Sequence, residues 1–549
     1  MAPLPPTDRE LPAETARVMQ AAFPKGHPYL TLRHELGVVY ANDDFAALFS
    51  IRGAPAEAPG RLALVTVLQF AEGLSDRQAA SAVAGRLDWK FLLGLELTDP
   101  GFHFSLLSEL RQRLLAGSAE LQLLDDLLER FKARGLLKAR RMQRTDSTHV
   151  LEAVRALNRL ELVGETLRAA LNDLAHIIPD WLQAQVPSVW YERYAERFEA
   201  YALPQGEAKR AALALTIGQD GYQLLSWLYA DAGCAALRQT PSVEALRQIW
   251  LQNYSWVDAQ LHWREAGNLP PAERMIRSPY DLQSRYSTKR ELAWGGYKTF
   301  LTEICAVDEP HFITHVATSV ATTPDTSLTE PIQQALCAKQ LPPDTHLVDS
   351  GFIDAELLVD SLQDQHIELL GPLRRDSSWQ TQAGAGFDLT HFQIDWDAKR
   401  VTCPQGHPSR YWSLSHNLYQ QTVIHVRFAQ ADCAACPCRA QCTHSAQGPR
   451  TLKLRTREEH EALQAGRARM DDPEFKRRIA RRAGVESLIS QGVRAFELRQ
   501  TRYRGLAKTH LQQVAIAAAI NLKRLADWLS PPLKPRAHLS RFAALTPAA

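Results

Sequence analysis

Three acidic residues, widely separated in a chain of 549 residues, have the types and surroundings that metal-assisted chemistry needs. Asp146 stands in Arg-Thr-Asp-Ser-Thr-His, Asp349 in Leu-Val-Asp-Ser-Gly-Phe and Glu486 in Arg-Arg-Ala-Gly-Val-Glu-Ser. Each aspartate ends a short apolar or alternating run and precedes small polar residues, whereas the glutamate lies in an arginine-rich helical stretch. Carboxylate oxygens are hard ligands, and such a set can hold two Mg2+ or Mn2+ ions about 3.5–4 Å apart. Ions so placed clamp both sides of an in-line phosphoryl displacement, so the expected substrate is a nucleic-acid backbone. Three carboxylates in one pocket repel, and their pKa values are expected to rise when no metal is bound.

A second group is built on thiols. Five of the eight cysteines cluster: Cys403 in Cys-Pro-Gln-Gly-His, then Cys433, Cys436, Cys438 and Cys442 in Cys-Ala-Ala-Cys-Pro-Cys-Arg-Ala-Gln-Cys. The Cys433-x2-Cys436 pair, Cys442 and Cys403, the last following an expected hairpin from Phe392 to Val401, supply four thiolates for a tetrahedral structural Zn2+. Cys438 is then the spare, with His407 and His444 as reserve ligands. Disulfides are not expected in a cytosolic protein. Cys234, Cys305 and Cys337 sit in apolar patterns and are expected in the core.

Net charge is only +2, but its distribution is uneven. Between Arg450 and Lys508 sixteen Lys and Arg stand against eight Asp and Glu, and a second basic run spans Lys132 to Arg144. Basic stretches beside acidic motifs would attract phosphates by counterion release; the plainer reading is solvated helix faces. At 45% hydrophobic residues the chain can bury about two to four domains. No run approaches the roughly 18 apolar residues of a membrane span, since Val514 to Leu529 contains Asn521, Lys523, Arg524 and Asp527. The start, Met-Ala-Pro-Leu-Pro-Pro-Thr-Asp-Arg-Glu, lacks a basic segment followed by an apolar one, so a cytoplasmic location without membrane partners is expected.

The elements that must position these residues follow from periodicity. Leu62 to Ala71 reads as a helix ended by Gly73, and Ser75 with Gln78 makes a capping box that opens a second helix through about Leu87. Helix, Gly-bearing turn, helix is the outline of a helix-turn-helix. Lys138 to Asp146 reads as a strand after a basic lead-in, and Leu151 to Tyr254 as helical. Tyr297 to Cys305 and Phe312 to Thr322 are β-rich, Leu328 to Lys339 is a helix and Thr345 to Asp349 a short strand. A helix at Ala355 to Gln365 and a strand at Ile367 to Leu370 follow. Arg285, Tyr286 and Lys289 read as a polar loop. Trp294 and Tyr297 suit sheet core or base stacking. Val485, Leu488, Ile489, Val493 and Phe496 form a buried stripe with Glu486 at its edge; the alternative is a surface glutamate paired with Arg482, four residues earlier.

With inserted segments removed, that order resembles a ribonuclease-H-like α/β fold, in which the first and fourth strands bring their carboxylates together. The chain as a whole resembles a DDE-class transposase of a bacterial insertion sequence, of the branch with a helical N-terminal domain and a cysteine-bearing insertion. The resemblance is carried by Leu-Ser75-Asp-Arg-Gln-Ala-Ala, Asp146-Ser-Thr, Trp294-Gly-Gly-Tyr-Lys298, Asp349-Ser-Gly, Gly484-Val-Glu486, Arg502-Tyr-Arg-Gly-Leu-Ala-Lys508 and Ala519-Ile-Asn521-Leu. The family signature Tyr-x2-Arg-x3-Glu-x6-Lys is kept at Arg482 and Glu486, but Ile479 stands in the Tyr position and Val493 in the Lys position. Arg494 or Lys508 are the substitutes, and Glu497 is the rival glutamate.

The resemblance implies residues 1–137 as a helical N-terminal domain, 138–150 as the first core strand, 151–280 as an all-α insertion and 281–375 as core continued. It further implies 376–450 as a small β-rich zinc-binding insertion, 451–530 as core helices bearing the catalytic Glu486, and 531–549 as a tail. Asp146, Asp349 and Glu486 are then catalytic and hold two Mg2+ or Mn2+, with Lys298, Arg482, Arg494, Arg502, Arg504 and Lys508 as DNA contacts. The implied activity is cleavage at the terminal inverted repeats and transfer of the 3′-hydroxyl into target DNA, by a homodimer or larger assembly in the bacterial nucleoid. A metal-dependent nuclease without strand transfer and a non-catalytic DNA-binding descendant are the alternatives.

Overall fold

The computed structural model describes residues 10–49, 57–289, 291–384, 386–417 and 420–530. The expected tail, 531–549, and nearly all of the N-terminal segment used to judge secretion lie outside the described residues.

The strands are, in chain order, β1 (Gln143–Leu151), β2 (Tyr254–Val257), β3 (Gln260–Trp263), β4 (Arg285–Lys289), β5 (Leu292–Ile304), β6 (Ile313–Val320), β7 (Thr345–Leu347) and β8 (Glu368–Leu370). Five more follow: β9 (Gln393–Asp395), β10 (Arg400–Thr402), β11 (Tyr411–His416), β12 (Thr422–Arg427) and β13 (Thr451–Leu454). A six-stranded mixed sheet forms the centre, running β4-β5-β1-β7-β8, with β6 also paired to β5. β1 is antiparallel to β5 and parallel to β7, and β7 is parallel to β8.

Both faces of the sheet are covered. On one, Phe300 packs with Ile332 and Leu336 of helix Thr326–Ala338 and with Val348, Phe352 and Leu369. On the other, Leu301, Ile304, Ile313 and Val316 join one continuous core with the helix Leu506–Leu529 and with the N-terminal helices. Asn521 of that helix is fully buried, donates to the Ile313 carbonyl at 2.8 Å and accepts from its amide at 2.7 Å, which pins the helix to the first residue of β6. Burial of Val514 to Ala526 inside protein explains its apolar character, and no helix among the described residues is long and apolar enough to cross a membrane.

The region from Arg159 to Trp263 has its own core, built on Val163, Leu167, Leu224, Ile249 and Trp250, and ends in the β2–β3 hairpin. The cysteine region has another, around Phe392, Val401, Ile424, Val426 and Leu452, beneath the paired strands β9–β10 and the sheet β11-β12-β13. In the N-terminal region, helix Pro59–Ala71 is followed by Gly73 at φ 67° and by helix Asp76–Gly85, which Ser75 and Gln78 open with the expected capping box.

Three local expectations change. The strand expected over Thr345 to Asp349 ends at Leu347, so Asp349 lies two residues beyond it. β1 runs on to Leu151, so Asp146 lies within a strand and not at its end, and helix begins only at Arg159. The cause is a distant partner: Leu151 donates to the Arg499 carbonyl at 2.8 Å and its own carbonyl accepts from Thr501 at 3.1 Å. The segment Arg285–Lys289, expected as a loop, is β4, because it finds an antiparallel partner in Leu292–Gly296.

Candidate active site

Parallel pairing matches Gln143 with His346 and Arg144 with Leu347. The pairing stops there: Asp349 lies two residues past the end of β7, and its charge is felt at the Asp146 carboxylate. The Asp146 carboxylate accepts from the Ser147 amide at 2.7 Å and from Arg482 Nη1 at 3.0 Å. Its side chain is 14% exposed. Burial pushes this carboxyl above the ordinary aspartate range and the charge of Asp349 pushes the same way; the Ser147 amide, Arg482 and Lys289 oppose them without cancelling the rise.

Asp349 Oδ1 accepts from the Gly351 amide. A Cβ at Gly351 would lie 3.0 Å from that oxygen and 3.5 Å from Asp325 Oδ2, so any larger residue would crowd both carboxylates. Asp325 is a site neighbour that sequence reasoning missed. Its Oδ2 accepts from Ser147 Oγ at 3.3 Å, and its Oδ1 accepts from Lys298 Nζ at 2.9 Å. Lys298, an expected DNA contact, is thereby tied to Asp325 and to the Thr323 carbonyl at 2.8 Å. Asp325 just precedes an ordinary helix, and no spacing in the sequence sets it apart.

Glu486 lies in the first turn of helix Val485–Ala495, whose Val485 and Leu488 are buried. This helix approaches β1 closely because Gly484 has no side chain: a Cβ there would meet Arg144 Nη1 at 2.1 Å. Arg144 is anchored in turn by Glu303, which accepts from its Nε at 2.7 Å. Glu486 is exposed, and Arg482 pairs with Asp146 instead of with Glu486. Asp146 and Asp349 are thus brought together, while Glu486 stands one turn from the arginine that touches Asp146. Among the described residues no group of three or more His, Cys, Asp or Glu side chains is arranged to hold a metal ion.

The rival Glu497 has a positive φ of 53° and accepts from Arg502 at 2.9 Å. The two signature departures have packing roles: Ile479 packs with Cys305, Leu347 and Leu370, and Val493 against the main core. Arg499, not singled out from the sequence, donates to Thr148 Oγ1 at 2.9 Å, two residues along β1 from Asp146. Arg494 and Lys508 are exposed, and Arg504 is exposed with its guanidinium 5.4 Å from the Tyr280 ring. Arg502 donates to the Leu74 carbonyl at 2.6 Å and lies over Phe70, joining the site side of the sheet to the turn between the two N-terminal helices. Trp294 and Tyr297 are buried as sheet core.

The cysteines converge as well. Cys403, Cys433, Cys436, Cys438 and Cys442 line one cavity. Cys403 heads a tight turn, its amide donating to His407 and its carbonyl accepting from Gly406. Burial pushes the Cys442 thiol up; Arg450 pulls it down, and negative charge on Cys433, Cys403 and Cys436 raises it further, so these four groups feel one another. Thiolates are the soft donors that a tetrahedral thiophilic cation takes, but as placed here no three of these side chains are set to hold one. Cys438 Sγ accepts from Gln405 at 3.5 Å, and His444 is stacked on Trp379, 3.8 Å between ring centroids.

Two family models match parts of the chain: a Transposase DDE domain over residues 402–526 and a Transposase domain (DUF772) over residues 17–113. Over these segments the chain is similar to transposases, which points to a transposase-related family. The first match contains Glu486, Arg482 and the five clustered cysteines, whereas Asp146 and Asp349 lie outside both. No curated protein and no solved structure matches the chain.

Proposed function

We propose that this chain is a DDE transposase whose central sheet is a ribonuclease-H-like core, cutting DNA at the ends of its element and joining the freed 3′-hydroxyl to target DNA. The observation that carries the reading is the nearness of Asp349, just past the end of β7, to Asp146 on its parallel neighbour β1, with Glu486 on the helix packed against β1. The two transposase matches support it.

In this reading Asp146, Asp349 and Glu486 bind two divalent ions, which supply stabilisation of the attacking and departing oxygens when bound. Burial and the charge of Asp349 hold the Asp146 carboxyl above the ordinary aspartate range, and a cation bound beside it would favour the ionised form. Arg482 and Arg499 flank Asp146 on its strand and orient the scissile phosphate. Exposed Arg494, Arg504 and Lys508 contact duplex DNA, with two copies of the chain holding two element ends. Cys403, Cys433, Cys436 and Cys442 hold a structural Zn2+ that shapes the insertion.

The test is to incubate the protein with Mn2+ and duplex DNA ending in the inverted repeats that flank its reading frame. Joined products are expected, and Asp146→Asn should lower their yield by about three orders of magnitude. Cleavage without joining would favour the nuclease alternative, and cleavage unchanged in Asp146→Asn would sink the carboxylate site.

A further inference from the structure

The three-stranded sheet of the cysteine region has two unlike faces. Ile424, Val426, Leu452 and Leu454 point into its core, so the residues alternating with them point outward. The register aligns those outward residues in rows across the strands: Tyr411, Arg427 and Thr451 form one, Ser413, His425 and Lys453 the next. All are exposed except the half-buried His425, and neither row contains a carboxylate. At one end the face continues into an open groove of about 660 Å³ lined by His416, His425, Lys453 and Arg455, the amides Asn417 and Gln420, and the apolar Val423 and Leu454. Arg455 on that rim lies 3.7 Å from Glu459, and nearby Gln421 donates to Glu356 at 3.0 Å.

We propose that this face is a docking surface for the phosphate backbone of duplex DNA. The inference rests on the DNA-acting reading above and adds a second contact remote in sequence from the two aspartates. Arg, Lys, Ser, Thr and Tyr side chains are the donors that protein–DNA interfaces use on phosphates and sugars, and here they alternate over two rows with no acid to repel the strand. A surface of such donors, with no projecting helix to enter a groove, grips the backbone irrespective of base sequence, by releasing condensed counterions. The face therefore suits flanking or target DNA, whose sequence varies, better than the repeats themselves.

The experiment follows the binding of a fluorescent random-sequence duplex of about 30 base pairs to the full-length protein as KCl is raised. The double variant Arg427→Gln, Lys453→Gln should bind at least about tenfold more weakly, with the slope of log affinity against log salt shallower by about 1.8, roughly 0.9 for each phosphate no longer neutralised. A control with the same charge change on the helical region, Arg197→Gln with Lys209→Gln, both exposed, should keep the wild-type slope. Thermal melting verifies that both variants are folded. An unchanged slope in the face variant, or an equal change in the control, would overturn the proposal while leaving the carboxylate site intact. Loss confined to single-stranded DNA would overturn the duplex as occupant. Failure of the wild-type protein to bind duplex at all would remove the DNA-acting reading, and the docking face with it.

Discussion

The two clusters of chemically capable residues are held in place by opposite means. Asp146 sits within β1 and Asp349 just past the end of its parallel neighbour β7, in a sheet covered on both faces, so backbone hydrogen bonds and a large core fix them whether or not anything is bound. The cysteines converge from a turn at Cys403 and two helices of five and four residues, over a small core of Phe392, Val401, Ile424, Val426, Phe428, Leu452 and Leu454. Small cores of this kind gain much of their stability from a staple. The sheet site is set by folding alone, whereas the cysteine region would gain its fold together with the proposed Zn2+.

The largest effect should come from breaking the second half of that contrast. Chelation, or Cys433→Ser, should remove one Zn2+ per chain and unfold the insertion, because structural zinc contributes about 10 kcal/mol or more to such units. Elemental analysis and hydrogen exchange should show β11 to β13 losing protection while β1 and β5 keep theirs; a sheet that melted together with the insertion would end the distinction.

A smaller effect tests the other half. Glu303 is fully buried and holds both Arg144, at 2.6 Å, and Arg524, at 2.5 Å, joining β5, β1 and the helix Leu506–Leu529. Glu303→Ala leaves two arginines without their shared acceptor and should cost about 3–5 kcal/mol in denaturant unfolding, with zinc content unchanged. An effect below about 1 kcal/mol would mean that the core alone fixes the register.

The smallest effect separates two causes of a raised carboxyl. Asp126, in the N-terminal helices and away from the candidate site, is pushed up to about 7, chiefly by burial and next by the charge of Asp44. A carboxyl raised in the folded state contributes stability that is fully present below its unfolded value of 3.8 and is lost as pH climbs through about 7. Asp126→Asn should therefore raise the melting temperature by about 2–4 °C at pH 8 and lose that advantage by about pH 4. A benefit equal at both pH values would show that the charge is not its source.

Much of this was legible in the chain itself. Apolar periodicity located the helix ending at Ala71, the capping box at Ser75 and the strands around Tyr297 and Phe312, because those signals are local. Both aspartates could be chosen from the short apolar or alternating runs before them, although only Asp349 follows a strand end, Asp146 lying within β1. Their juxtaposition needed the β1–β7 register, which follows from strand order and not from either motif alone. Illegible features depend on distant partners: the extension of β1 to Leu151 on Arg499 and Thr501, the pairing of β4, and the approach of Asp325 to Ser147. Arg482 is the intermediate case. Its spacing to Glu486 marked it as important, but only three-dimensional contact shows that Asp146 holds it.

The clamp of Asn521 on β6 bears on how the protein is made. The helix that opens at Leu506 completes a core begun by the helix ending at Ala71, and Arg502 caps the turn after that first helix through Leu74. During synthesis at roughly 5–20 residues per second, the N-terminal helices must wait tens of seconds with an apolar face uncovered. The Arg159–Trp263 region, whose core draws on residues 157 to 282, can fold meanwhile. A ribosome stalled before Leu506 would therefore carry one finished unit flanked by unfinished ones, and the nascent chain should need a chaperone on its first helices until the last has emerged.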